Sequence, residues 1–152
     1  MTPEEKLAEL GLQVPDVVPP VAAYVPAART GNLVFTAGPL PARDGSMIAT
    51  GKLGDEVSEE EGYECARQCA LNALAAIRAE VGELSAVARV VKATVFVAST
   101  PGFTAQPKVA NGASELLAEV FGDAGRHARS AVGVPVLPLD VPVEVELVVE
   151  VR

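Results

Sequence analysis

Several kinds of residue that carry chemistry in other proteins are scarce in this chain. Its 152 residues include no tryptophan, two tyrosines, four phenylalanines, two cysteines and one histidine. Two cysteines are too few for a disulfide framework, and the spacing of Cys65 and Cys69 is not the C-x-x-C of redox and metal sites. We expect both to be buried free thiols. A metal site needs two or three clustered ligands, and the sequence offers no such spacing.

Positive charge is also in short supply. Twelve lysines and arginines stand against 20 aspartates and glutamates, which gives a formal net charge of −8 at pH 7. Such a chain repels polyanions at long range. No basic stripe alternates with aromatic side chains that could stack on bases. Nucleic acid is therefore not an expected partner.

Long apolar runs are missing as well. No run approaches the roughly 20 residues that span a bilayer. The first ten residues, MTPEEKLAEL, are acidic and amphipathic, and they lack the basic start and apolar stretch of a secretory signal. We expect a cytoplasmic protein with no membrane partner.

The patterns that are present begin with a short helix. Thr2 can cap this helix and Gly11 can end it. The proline-rich stretch VPDVVPP follows at residues 14–20. We predict an N-terminal helix and linker over residues 1–20, peripheral to one domain over residues 21–152, whose length suits a single core.

The rest of the chain alternates strand and helix patterns. Ser58 and Glu61 form a capping box that starts a long helix, and Gly82 is expected to end it. Helical spacing of apolar residues and runs of β-branched residues identify the other elements. These are a hairpin around residues 30–32, a tight turn at Asp44-Gly45, a strand at 89–99, a helix at 106–121, and strands at 127–134 and 142–151. The order predicts an α+β domain in which both helices cover one face of a mixed sheet.

The last two strands carry most of the candidate chemistry. Alternate residues of a strand share a face, so in the final strand Glu144 and two further glutamates lie on the face opposite four valines and Leu147. On the strand before it, His127, Arg129 and Ala131 share a face. If the two strands pair with these faces matched, Arg129 and the glutamates border one surface. Small and apolar residues on that side of the sheet favour an oligomer interface there.

An arginine in such a cleft has a specific use. Its planar guanidinium binds a carboxylate through two parallel hydrogen bonds and cannot lose its charge. A nearby glutamate can orient a water molecule or move a proton. Arg129 and Glu144 therefore suit the hydrolysis of a small carboxylic acid. The alternative is an arginine–glutamate ion pair that fixes the strand register. His127, alone at the start of a strand, is expected to be structural, although a histidine can shuttle protons near neutral pH.

Several segments together resemble the Rid/YjgF family, which is often labelled L-PSP endoribonuclease. The similarity runs in order over roughly residues 20–151. The matching segments are AAYV at 22–25, RTGNLVFTAGPLP at 29–41, CARQCALNALAAI at 65–77, VVKATVFVAS at 90–99, VANGASELLAEVFG at 109–122, ARSAVGV at 128–134 and LPLDVPVEVELVVEV at 137–151. The N-terminal helix and the length are closer to the longer subgroup, described as chorismate-mutase-like putative endoribonucleases.

The resemblance implies a homotrimer with a cleft between each pair of neighbouring subunits. Active members of the family hydrolyse reactive enamines and imines of small carboxylic acids, such as 2-aminoacrylate, to 2-keto acids and ammonia without a cofactor. By their places in the family's motifs, Arg129 binds the substrate carboxylate and Glu144 positions water. The further substrate-binding residues that the resemblance implies are Tyr24, Gly38, Asn111 and Ala131.

The sequence departs from the family's pattern at the wall of this cleft. The usual Ser-Gly-Gln is Ala37-Gly38-Pro39, the proline two residues before the arginine is His127, and the residue two after it, often cysteine, is Ala131. Three functions stay open beside deaminase activity: binding of a small carboxylate without turnover, RNA cleavage, and a chorismate-mutase-like rearrangement. Charge and aromatic content disfavour RNA cleavage, and only fold analogy supports the rearrangement.

Overall fold

A computed structural model describes residues 1–17, 19–20 and 22–152 of the chain. Over these residues the backbone forms three α-helices and seven strands, joined in part by short 3-10 turns. The helices are α1 (Pro3–Glu9), α2 (Glu59–Val81) and α3 (Gln106–Phe121). The strands are β1 (Ala27–Thr30), β2 (Leu33–Thr36), β3 (Ala42–Arg43), β4 (Ser46–Met47), β5 (Val87–Ala98), β6 (Ala128–Val134) and β7 (Val143–Val151).

Five of the strands form one mixed sheet. Its order is β1-β2-β7-β5-β6, while β3 and β4 form a separate hairpin. β5 and β6 run parallel, and the other neighbours in the sheet are antiparallel. Parallel strands need a long connection, which α3 provides between β5 and β6. This β5–α3–β6 unit places β6 at the edge of the sheet beside α3.

The two long helices lie on one face of the sheet. Along β7 every second side chain, from Val143 to Val151, is buried and joins one core with the inward sides of α2 and α3. The residues between them, such as Glu144, project from the open face, by which we mean the sheet face that α2 and α3 do not cover. The predicted α+β arrangement, with both helices on one face of a mixed sheet, is confirmed.

Local signals in the sequence place the ends of these elements. Ser58 and Glu61 make both hydrogen bonds of the capping box, each 3.1 Å long, and Gly82 ends α2 with a φ of 95°. Asp44 and Gly45, with φ of 52° and 83°, form the tight turn between β3 and β4. α3 covers its predicted range. None of the helices in the described part of the chain is long and apolar enough to cross a membrane.

Helix α1 is fixed to the rest of the molecule. Leu7 is only 1% exposed and belongs to the core, and the backbone N–H of Leu84 donates a hydrogen bond of 2.9 Å to Glu4 Oε1. One apolar side chain of this N-terminal helix therefore completes the core. The division of the chain at residue 20 stays a prediction.

Candidate functional site

Arg129 lies in the edge strand β6, opposite Ala93 of β5. Ala93 is fully buried, so Arg129 projects from the helix-covered face of the sheet, toward α3. Its Nη1 donates hydrogen bonds to Asn111 Oδ1 at 2.8 Å and Ser114 Oγ at 3.2 Å, while Nη2 is 3.5 Å from the carbonyl oxygen of Pro107. A guanidinium has five N–H donors, and three of them make these contacts, so the two others, on Nε and Nη2, are left for a ligand.

No carboxylate neutralises this arginine in the part of the chain that the structure describes. The ion pairs there join Lys6 to Glu9, Lys52 to Asp140 and Arg67 to Glu119, and none includes Arg129. Neutral oxygen acceptors therefore orient its positive charge without cancelling it. This is the state expected of an arginine that receives an anion.

Arg129 and Glu144 lie on opposite faces of the sheet. Glu144 is opposite Phe96 of β5 and projects from the open face. β6 pairs with β5 and not with β7, because β5 lies between them. The predicted common surface of Arg129 and the glutamates does not form within one chain, and an ion pair between them does not set the strand register. Both expectations are corrected by this strand order.

Glu144 is a half-buried carboxylate whose surroundings disfavour its charge. Burial raises the pKa of Glu144 above its usual value, and the negative charge of Glu146 raises it further. The backbone of Gly38 lies directly against this side chain, since a Cβ there would come within 2.7 Å of Glu144 Cδ. Glycine at position 38 therefore leaves the space that Glu144 occupies. A carboxylate with a raised pKa exchanges protons more readily near neutral pH.

Tyr24 lies beside Gly38 and not in a strand. β1 begins only at Ala27, and Tyr24 is 47% exposed in the segment before it. Tyr24 and Gly38 together line an apolar cavity of about 80 Å³, whose other walls come from the proline-rich linker, the loop after β2 and helix α2. The segment that carries Tyr24 thus meets the loop after β2.

The predicted site residues fall into two groups. The first, the arginine group, contains Asn111, Arg129 and Ala131, and it lies where α3 meets β6 on the helix-covered side. The second, the glutamate group, contains Tyr24, Gly38 and Glu144, and it lies around the loop after β2 and the start of β7. The structure brings the members of each group together. It does not bring the two groups together within one chain.

Two further residues contact the arginine group, one of which the sequence analysis did not single out. His127 Nε2 is 2.9 Å from Ser114 Oγ, and His127 Nδ1 is 2.7 Å from the carbonyl oxygen of Gly125. A carbonyl only accepts, so Nδ1 donates to it, and in that tautomer Nε2 accepts from the Ser114 hydroxyl. A signal for Ser114 was available in the sequence, since it lies three residues after Asn111 and so on the same side of α3.

The two cysteines lie apart from these groups. Cys65 and Cys69 are free and buried in α2, as predicted. Burial raises the pKa of Cys65 to about 12 and that of Cys69 well above its usual value, so both thiols stay protonated and unreactive at neutral pH. Among the described residues, no group of three histidine, cysteine, aspartate or glutamate side chains could hold a metal ion.

The chain is similar to known proteins over almost its whole length. Residues 4–151 match the family described as "YjgF/chorismate mutase-like, putative endoribonuclease". Protein TCP17 of Trypanosoma cruzi is 44% identical over 147 residues, which are 96% of this chain and 92% of that protein. The crystal structure of a protein of unknown function from Agrobacterium tumefaciens is 42% identical, with a TM-score of 0.91 over 99% of this chain and 92% of the other. That of a "putative endoribonuclease" from Shewanella oneidensis is 34% identical, with a TM-score of 0.97 over 99% and 100%.

Proposed function

This chain belongs to the YjgF/chorismate mutase-like family, and on that premise we propose that it is a cofactor-independent hydrolytic deaminase. Its substrates are small reactive enamines and imines that carry a carboxylate, of the 2-aminoacrylate type, and its products are a 2-keto acid and ammonia. The observation that carries the proposal is the state of Arg129, which is half-buried, oriented by Asn111 and Ser114, and not neutralised by any described carboxylate. Such a group binds a carboxylate ligand through paired hydrogen bonds.

The proposed reaction uses Glu144 as a proton carrier. An enamine first takes a proton from solvent on carbon and becomes the iminium. Water then adds to the iminium carbon and gives its proton to ionised Glu144, which leaves a carbinolamine. Glu144 returns that proton to the nitrogen, the C–N bond breaks and ammonia leaves. The hydroxyl gives its proton to the ionised Glu144 as its oxygen becomes the oxygen of the 2-keto acid, and ammonia or solvent then takes that proton. The raised pKa of Glu144 suits a group that both accepts and returns a proton.

One substrate has to meet both groups of residues, and this requires a second subunit. The arginine group and the glutamate group lie on different faces of one sheet. On the open face, Phe35 and Val132 are each 43% exposed, and exposed apolar side chains of this size favour contact with another protein surface. We propose a homotrimer, the state that the family resemblance implies, in which each cleft takes the arginine group from one subunit and the glutamate group from its neighbour.

The test is the rate at which 2-keto acid forms from 2-iminopropionate generated in situ. The proposal predicts that the protein accelerates this reaction over buffer, and that Arg129→Ala and Glu144→Ala each abolish the acceleration. Arg126→Ala and Glu150→Ala are the matched controls, since each removes the same charge a few residues away, and both are expected to keep the activity. An unmodified protein that does not accelerate the reaction would overturn the proposal.

Binding of a small carboxylate without turnover is the second candidate. It is favoured by the completeness of the arginine group within one chain, since Arg129 and Asn111 need no residue of the glutamate group to be held in place. In that case pyruvate raises the melting temperature of the protein. Arg129→Ala removes this rise and Glu144→Ala does not, and the protein does not accelerate 2-keto acid release.

Endoribonuclease activity, which the names of several relatives carry, is disfavoured by the net charge of −8.

A further inference from the structure

A continuous series of hydrogen bonds runs from the backbone of Gly125 to the guanidinium of Arg129. The carbonyl of Gly125 accepts from His127 Nδ1 at 2.7 Å, and His127 Nε2 lies 2.9 Å from the hydroxyl of Ser114. The same hydroxyl oxygen accepts from Arg129 Nη1 at 3.2 Å. The series therefore joins the turn after α3, the helix itself and strand β6, and it ends on the guanidinium.

The far end of the series is anchored in rigid backbone. Gly125 is buried, and a Cβ at this position would overlap the carbonyl oxygen of Leu117 on α3. The Gly125 carbonyl is thus held against α3 by close backbone packing. Because this carbonyl accepts a hydrogen bond from Nδ1 of His127, the ring is held in the tautomer that accepts at Nε2.

His127 determines where the hydroxyl of Ser114 donates its hydrogen. A serine inside a helix readily donates its hydroxyl hydrogen to the backbone carbonyl four residues before it, which for Ser114 is the carbonyl of Ala110. The acceptor on His127 draws this hydrogen away from the helix, and a lone pair of Ser114 then points to Arg129. Arginine loses rotamer entropy when it is fixed, so an arginine that is already held loses less of it when its ligand binds.

We infer that His127 and Ser114 are positioning residues that hold the guanidinium of Arg129 in its carboxylate-binding orientation. This inference rests on the proposed function, because it assumes that Arg129 binds a carboxylate. In the Rid/YjgF pattern that this sequence resembles, the position of His127 is proline, which has no side-chain hydrogen-bonding group. Neither side chain needs to touch the substrate.

The experiment compares the binding of pyruvate with that of its uncharged amide, pyruvamide, to the full-length protein. Loss of one hydrogen bond in the series is expected to raise the Kd for pyruvate about 3- to 10-fold in Ser114→Ala and in His127→Phe, which keeps a ring without nitrogen. The Kd for pyruvamide should stay unchanged in both variants. Ser114→Thr, which keeps the hydroxyl, should bind pyruvate within about 2-fold of the unmodified protein, and Ser46→Ala, in the distant β3–β4 hairpin, is the control.

The double variant Ser114→Ala/His127→Phe shows whether the two residues act on Arg129 through one hydrogen-bond series or weaken binding independently of each other. Residues in one hydrogen-bonded series are not additive, so the double variant should bind pyruvate no more weakly than the weaker single variant. Fully additive losses, equal weakening for pyruvamide, or a Ser114→Thr variant as weak as Ser114→Ala would overturn the inference.

Failure of the proposed function and failure of the positioning role give different results. If Arg129→Ala binds pyruvate as well as the unmodified protein does, the proposed function itself fails. If Arg129→Ala loses pyruvate binding while Ser114→Ala and His127→Phe keep it, only the positioning role fails.

Discussion

At the scale of single residues, the two charged groups of the site are held in opposite ways. Arg129 keeps its full charge among neutral acceptors, and the part of the chain that the structure describes gives it no carboxylate partner. Glu144 lies in surroundings that disfavour its charge, because it is half-buried and near Glu146. An anionic substrate would compensate the positive charge of Arg129, and a proton would neutralise the negative charge of Glu144. This difference is what a hydrolysis with one anion-binding group and one proton carrier requires.

Substitution of Gly38 tests whether the reaction depends on the position of the Glu144 carboxylate. Gly38→Ala places a Cβ where the Glu144 side chain lies and has to displace the carboxylate, so we expect kcat to fall between about 10- and 100-fold. The φ of Gly38 is not in the left-handed region, so the fold should survive. The control is Gly102→Ala, where a Cβ meets nothing within 4 Å, and thermal melts of both variants measure stability. Full activity in Gly38→Ala would contradict this role of Glu144.

The pH dependence of the reaction tests the cause of the raised pKa. Glu144 must be ionised to accept the proton of water, so kcat/KM should fall as the pH drops through the pKa of Glu144. Because the charge of Glu146 raises that pKa, Glu146→Gln should lower it and move the acid limb of the pH profile to lower pH. Glu150→Gln, further along the same face, should leave the limb in place. An unmoved limb in Glu146→Gln would assign the limb to another group.

At the scale of elements, helix α3 connects the site to the core. One of its sides carries Asn111 and Ser114 to Arg129. Gly112, between them, lies so close to α2 that a Cβ would overlap the carbonyl oxygen of Tyr63. The close approach of α2 and α3 therefore depends on the absence of a side chain at Gly112.

Two glycines at the helix contact give a graded test. Gly112→Ala has to push two backbones apart, so the free energy of unfolding should fall by about 1–3 kcal/mol, although alanine favours the helix by about 1 kcal/mol. At Gly62 of α2 a Cβ would meet only side-chain methyl groups, of Leu53 at 3.0 Å and Val109 at 3.2 Å. These can move, so Gly62→Ala should change stability by less than about 1 kcal/mol. Urea denaturation of both variants measures the difference, and equal effects would contradict the packing described.

The elements could be predicted from the sequence where a local signal marks them. The Ser58 capping box, Gly82 after α2 and the turn at Asp44-Gly45 are short-range patterns, and each is where it was expected. The neighbours of β6 were harder to assign, because alternation along a strand gives its faces but not its partner. A strand, a helix and a strand in succession favour a parallel pair, and that rule would have placed β6 beside β5.

At the scale of the whole molecule, the sequence could indicate which residues form the site but not how they are distributed. Motif positions single out Arg129 and Glu144, and the fold then separates them. The contacts of Ser114 and His127 depend on the packing of α3 against β6, which is a tertiary feature without a pattern along the chain. These are the parts that only the three-dimensional structure supplies.

The proposed assembly predicts that the open face is covered in solution. Val132 lies on this face opposite Phe96, so Val132→Asp places a carboxylate in the interface and should shift sedimentation from a trimer toward a monomer. Val136, 60% exposed in the loop after β6, is the matched site, and Val136→Asp should leave the trimer intact. A Val132→Asp protein that sediments as a trimer would place the interface elsewhere.

The central claim is that each active cleft takes Arg129 from one subunit and Glu144 from its neighbour. Its most direct test is to unfold Arg129→Ala and Glu144→Ala together in equal amounts, refold them as mixed oligomers, and measure 2-keto acid release. Each variant alone should be inactive. A random mixture should recover about a quarter of the unmodified activity, since about one cleft in four then has both side chains. The control, Arg129→Ala refolded with the double variant Arg129→Ala/Glu144→Ala, should recover none. Mixed oligomers of normal size that regain no activity would contradict the shared cleft.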